Sequence, residues 1–197
     1  MTAKRTALGD TPILSFRTTR EWLAWLQKNH ASSAGIWLKI GKKGSAAASV
    51  SYAQALEAAL CYGWIDGQKK GHDESAWLQR FSPRGPRSVW SKVNREKARA
   101  LIGAGQMKPP GLKVIEQAKA NGQWDAAYDS QKGIEMPEDL RRELDRRPKA
   151  RTFFEGLNSA NRYAILFRLQ TARKPATRLK RLAQLVEMLE KGERIHP

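Results

Sequence analysis

The chain has 197 residues, enough for one large domain or for a domain with a helical appendage. Hydrophobic residues make up 41% and charged residues 28%, ordinary values for a globular protein, and no window approaches the ~18 consecutive apolar residues of a membrane span. The single cysteine, Cys61, excludes an internal disulfide framework and any cysteine-rich metal site, while a net charge of +17 favours anionic partners.

The opening stretch MTAKRTALGDTP is basic and has no apolar run, which predicts a cytoplasmic protein. Ile13–Phe16 suits a short strand. Thr18, with Glu21 three residues on, spells a capping box, and Trp22, Trp25 and Leu26 then fall on one helical face. Between Gly35 and Lys42, Ile36, Leu38 and Ile40 alternate with Trp37 and Lys39, the pattern of a half-buried strand. After the small-residue loop KKGSAAAS, Ser51 and Gln54 form a second capping box. It opens a helix with Leu56, Ala59 and Leu60 inward and Gly63 as its stop. Trp64–Lys70 and Ala76–Phe81 read as strands joined by the turn-rich KGHDES.

From Ser88 onward the pattern is helical. One helix is expected from Ser88 to Ala104, before Gly105. A second is expected from Pro109–Pro110, where proline suits the first turn, to Asn121–Gly122. A looser segment follows with Trp124 and Tyr128. Pro137 starts a third helix that Pro148 interrupts, Asn158 or Ser159 caps a fourth, and Pro175 opens the last. There Leu179, Leu182, Val186 and Leu189 form a stripe before Gly192. The expected architecture is α+β: a small, mostly antiparallel sheet packed with helices, followed by an all-helical C-terminal module. The expected division is into domains 1–132 and 133–197.

The candidate site is the stretch CYGWIDGQKKGHDESAWLQRFSPRGPRSVWSKVN. It lies mostly within residues 68–113, which carry a net +8, whereas residues 114–137 carry −2. Asp66 stands in a glycine-bounded turn, where it reads either as a turn carboxylate, with Arg80 or Arg84 as ion partner, or as a general acid–base. Arg80, Arg84 and Arg87 string along a Pro/Gly-rich loop, and guanidiniums grip carboxylate or phosphate in bidentate fashion. A helix beginning near Ser88 would add its free N–H groups to the same anion site. Trp64, Trp77, Phe81 and Trp90 serve either as core or as walls of a pocket. The expected ligand-binding set is therefore Trp64, Asp66, Arg80, Arg84, Arg87, Ser88 and Trp90, with an anionic small molecule or polyanion as partner.

The net charge also admits nucleic acid, with an affinity that falls steeply with salt. Cys61, late in an apolar helix, reads as a buried thiol, and with His72 it lacks the third group that would orient a base. His30, His72 and His196 show no metal-ligand spacing, and no phosphate loop, dinucleotide fingerprint or nucleophile elbow is present, so neither metal nor cofactor is expected.

Four blocks, ALCYGWIDGQKK, WLQRFSPRGPRSVWSKVN, GQWDAAYD and LNSANRYAILFRLQTARKPATRLKRL, resemble in this order the YdeI/OmpD-associated family, also called bacteriocin-protection proteins. The resemblance runs from about Thr18 to Glu193, and the part from about Pro137 looks like that family's helical C-terminal module. It implies a role in tolerance to bacteriocins or antimicrobial peptides, or in stress tolerance more broadly. It carries over no catalytic residues.

Overall fold

The computed structural model describes residues 11–45 and 49–197. The basic N-terminal stretch up to residue 10 and part of the small-residue loop lie outside them. The chain folds as two units. One comprises the described residues up to Ser88 together with Asn94–Trp124; the other comprises Val89–Val93 and Asp125–Pro197.

The first unit is α+β. Its sheet has the order β1-β2-β4-β3, built from β1 (Ile13–Leu14), β2 (Ile36–Gly41), β3 (Trp64–Gly71) and β4 (Ala76–Pro83). Strand β1 runs parallel to β2, and the other two pairings are antiparallel. Helices α1 (Thr19–Asn29) and α2 (Tyr52–Cys61) supply the apolar cover. On β2, Ile36, Leu38 and Ile40 are buried, as their alternation predicts, and in register Ile36 faces Phe81 and Leu38 faces Gln79 on β4. Trp22 sits against this layer with its ring 5.8 Å from that of Phe81 and donates its indole N–H to the Ala55 carbonyl at 3.1 Å.

The two expected capping boxes differ in outcome. At α1 the Thr18 hydroxyl accepts the Glu21 N–H at 3.2 Å, but the Glu21 carboxylate takes the Arg17 N–H at 2.7 Å rather than that of Thr18, so only half the box forms. At α2 both halves form. Gly63 ends α2 at φ +72°, the left-handed value that glycine adopts without strain. Helix α4 (Pro109–Ala120) then crosses close to that end: a Cβ on Gly111 would collide with the Cys61 carbonyl and the Met107 sulfur.

The helix expected from Ser88 begins only at Lys92, as α3 (Lys92–Gly103). The preceding residues are extended because Tyr128 uses their backbone. The Tyr128 N–H donates to the Trp90 carbonyl at 2.9 Å, and the Lys92 N–H donates to the Tyr128 carbonyl at 2.8 Å. An ion pair from Lys92 to Asp129 at 2.6 Å reinforces the junction, and that hydrogen bond holds the Asp129 carboxyl below its ordinary range.

The second unit is helical: α5 (Glu138–Asp145), α6 (Pro148–Glu155), α7 (Ser159–Gln170) and α8 (Pro175–Glu190). Pro148 closes off α5 and sits in the first turn of α6, where its missing N–H costs nothing. Asn158 caps α7 by accepting the Asn161 N–H at 2.9 Å. The core is apolar, built around Leu144, Phe154, Ile165 and Leu169. On α8 the buried stripe is Leu182, Leu185, Val186 and Leu189; Leu179, expected to join it, is 67% exposed and Leu185 is buried instead. Arg178 ties α8 to α5 through a bidentate pair with Asp139, Nε to Oδ2 at 2.6 Å and Nη2 to Oδ1 at 2.9 Å. Among the described residues no helix is long and apolar enough to cross a membrane.

Candidate functional site

The residues singled out from sequence serve different parts of the structure. Trp64, at 1% exposure, is core: its ring meets Trp22 and Trp25 edge-on at 6.3 and 5.7 Å, and its N–H donates to the His30 carbonyl at 3.1 Å. Asp66, half-buried on β3, accepts the Tyr52 hydroxyl at 2.8 Å. Arg80 is not its ion partner. Arg80 turns Nη1 to the carbonyls of Phe81 at 2.9 Å and Ile36 at 3.1 Å, and Nη2 to that of Ala34 at 3.3 Å. Burial pulls its guanidinium pKa down. The side chain therefore works as a backbone staple at the mouth of β2.

Arg84 is buried after β4, with its N–H on the Gly63 carbonyl at 3.0 Å. Arg87 is exposed. Ser88 closes a tight turn in which its Oγ accepts the Gly85 N–H at 3.0 Å and its own N–H donates to the Gly85 carbonyl at 3.0 Å. The free N–H groups expected there are absent, because α3 starts four residues later. Trp90 is buried and belongs with the helical unit. Cys61 and His72 are separated by the whole of β3, about 25 Å of extended chain. Burial pushes the Cys61 thiol pKa up, which disfavours the nucleophilic thiolate. Among the described residues no group of three His, Cys, Asp or Glu side chains could hold a metal ion.

What β3 does present is charge over aromatic rings. Its register with β4 shifts between Asp66 and Lys69, and the Gln79 amide fills the irregularity by donating to the Gly67 carbonyl at 2.8 Å and the Gln68 carbonyl at 3.2 Å. Beyond it, Lys69 lies 5.7 Å over the Trp77 ring and Lys70 lies 4.3 Å over Trp37. Leu78 stands in register between Lys70 and Lys39 and is 1% exposed.

The helical unit contains a cavity of about 720 Å³ that sequence reasoning missed. Its lining includes the apolar side chains of Phe153, Leu157 and Leu189 and the polar ones of Lys149, Thr152, Asn158 and Arg194. Among the described residues that line it, two are cations and none is a carboxylate. Lys149 and Phe153 come one helical turn apart from α6, so they share a face. Pro148, read from sequence only as an interruption, is what starts α6 at the cavity's edge. The available signals were the Asn158/Asn161 spacing and the Gly192 stop; neither names a cavity, because its walls come from separate helices.

Residues 14–114 match the model of a domain of unknown function, DUF8412, just over half of the chain. Residues 133–192 match the bacteriocin-protection, YdeI or OmpD-associated family. Of the four blocks that carry the sequence resemblance, only the last lies inside that second match; the first two fall in the DUF8412 region. No curated protein and no solved structure matches the chain. The chain thus belongs to the DUF8412 family through its α+β half and carries a YdeI/OmpD-associated domain in its helical C-terminal half.

Proposed function

We propose that the protein binds an anionic ligand and that the cavity of the C-terminal domain holds it. The observation that carries this reading is the sign of the cavity: Lys149 and Arg194 line it, and none of the described residues lining it is a carboxylate. A cationic ligand would meet uncompensated like charge there, whereas an anion gains two partners in a setting less hydrated than bulk water. The volume lies in the range of cavities that enclose small molecules. A role in tolerance to bacteriocins or antimicrobial peptides, the property in the family's name, belongs to the same proposal, as does a cytoplasmic location. The test is a titration of the whole protein with citrate, inorganic phosphate and simple carboxylates, read by calorimetry and by thermal shift, since a ligand of the native state raises the melting temperature. Lys149→Glu and Arg194→Glu should each abolish the response. If no anion binds, or if both variants bind as the parent does, the reading is wrong.

A second reading, binding of nucleic acid, is favoured by the exposed Lys69 and Lys70 over the Trp77 and Trp37 rings. It predicts an affinity for single-stranded oligonucleotides that falls steeply with salt and drops on Lys69→Glu/Lys70→Glu. The same lysines also guard β3, an edge strand, against pairing with other chains, so loss of solubility without loss of binding would reject this reading.

A further inference from the structure

Arg194, one of the cavity's two cations, does not come from a helix. It lies on the segment that follows α8, and Asn161 ties that segment down. The Asn161 Nδ2 donates to the His196 carbonyl at 3.2 Å, and the His196 N–H donates to Asn161 Oδ1 at 2.9 Å. Asn161 is 1% exposed and also donates to Asn158 Oδ1 at 3.2 Å, so both ends of its amide are engaged. Gly192, at φ +73°, turns the chain out of α8, and a Cβ there would stand 3.8 Å from the Phe153 ring. Ile195 packs against the apolar core. The segment is thus fixed on both sides of Arg194, whose side chain lines the cavity.

We infer that the cavity takes an amphiphile with one terminal anionic group and an apolar body, of the fatty carboxylate or alkyl phosphate type. Its head lies with Lys149 and Arg194, and its body lies over Phe153, Leu157 and Leu189. The inference rests on the anionic-ligand reading above and adds the apolar half of the ligand. A compact polyanion such as citrate satisfies the cations and gains nothing from the apolar side chains. A neutral alkane derivative gains from the apolar side chains and leaves both cations without a partner. Only a ligand with both features uses the whole surface. Asn161 acts as a positioning residue: it touches the strap that carries Arg194, so head-group binding and docking of residues 192–196 are linked, each strengthening the other.

Calorimetry on the full chain with hexanoate, octanoate and decanoate, each below its micellar concentration, tests the body. Affinity should rise about fourfold for every methylene that enters the cavity. Decyl phosphate, run in parallel, distinguishes the two head groups, and binding of either with this chain-length dependence supports the inference. Decanol should bind at least about tenfold more weakly than decanoate, since it lacks the charge-assisted bonds. Lys149→Gln and Arg194→Gln are surface changes that keep the fold and should each weaken decanoate about tenfold. Asn161→Ala should weaken decanoate and speed hydrogen exchange at the His196 amide, and decanoate should slow that exchange in the parent protein. Equal affinity for decanol and decanoate, or no gain from hexanoate to decanoate, overturns the inference. If citrate or phosphate binds in a Lys149-dependent way while chain length has no effect, the anion reading stands and the amphiphile falls. If no anion of either kind responds to Lys149→Gln, both fall.

Discussion

The Arg178–Asp139 pair offers the sharpest test of how the helical domain is held together. Its two side chains are 29% and 26% exposed, which places it between a surface pair and a buried one. Exposed pairs contribute up to about 1 kcal/mol, and breaking a buried pair by removing one partner costs about 3–5 kcal/mol. Two short, parallel, charge-assisted bonds at 2.6 and 2.9 Å place the coupling at about 1–2 kcal/mol. Arg178 also donates Nη1 to the Leu169 carbonyl at 2.8 Å, near the end of α7, so its removal costs about 1 kcal/mol more than the pair alone. Arg178→Ala should therefore destabilise by about 2–3 kcal/mol and lower the melting temperature by roughly 4–10 °C for a chain of this length.

A double-mutant cycle of Arg178→Ala and Asp139→Ala, followed by urea unfolding with far-UV circular dichroism, measures the coupling directly. The pair also carries a pH signature. The bonds from Arg178 are the largest cause of a lowered Asp139 pKa. A carboxylate with a lowered folded pKa contributes stability that is fully present above its unfolded value of about 3.9 and is lost as pH falls through the folded value. The coupling should thus be the same at pH 7 and pH 5 and decline below about pH 4, and Asp139→Asn should flatten that acid limb. A coupling under about 0.3 kcal/mol at pH 7, within the error of additivity, would refute the reasoning.

Further outcomes follow from the α+β half. Gly111→Ala should cost about 2–3 kcal/mol in urea unfolding, because the atom its methyl group meets is the Cys61 backbone carbonyl, which has no free rotamer by which to yield. Arg80→Met should cost about 2 kcal/mol by removing its three hydrogen bonds to the carbonyls of Ala34, Ile36 and Phe81, while affinity for citrate or decanoate stays that of the parent. An equal loss of anion affinity would return Arg80 to the ligand site. Tyr52→Phe, which removes the hydroxyl from Asp66, should change stability by less than about 1 kcal/mol because the bond is exposed, as thermal denaturation will show.

Much of the fold is written locally. The Ser51–Gln54 box, the Gly63 stop, the prolines that open α4, α6 and α8, and the alternation of Ile36, Leu38 and Ile40 are each settled by a few neighbouring residues and their backbone. A cap or a period acts within one or two turns, so these features are legible without the rest of the chain. Apart from the half-formed box at α1, the misreadings are non-local. Ser88–Ser91 has a helical look, yet Tyr128, some forty residues on, takes its backbone into an extended pairing. Leu179 fits the apolar period of α8, but the neighbouring helices present their apolar face to Leu185 instead.

The candidate site divides in the same way. Its charge was visible in composition, since a net +17 favours an anion wherever the site lies. Its place was not. Arg80 has the same guanidinium whether it meets a phosphate or three carbonyls, and only the sheet brings Ala34, Ile36 and Phe81 around it. Lys149 and Arg194 stand 45 positions apart in the chain and share a cavity because α6, α8 and the strap held by Asn161 pack around it. Local propensity chose the elements and their ends. Long-range packing chose which charged groups are consumed by the backbone and which line a cavity.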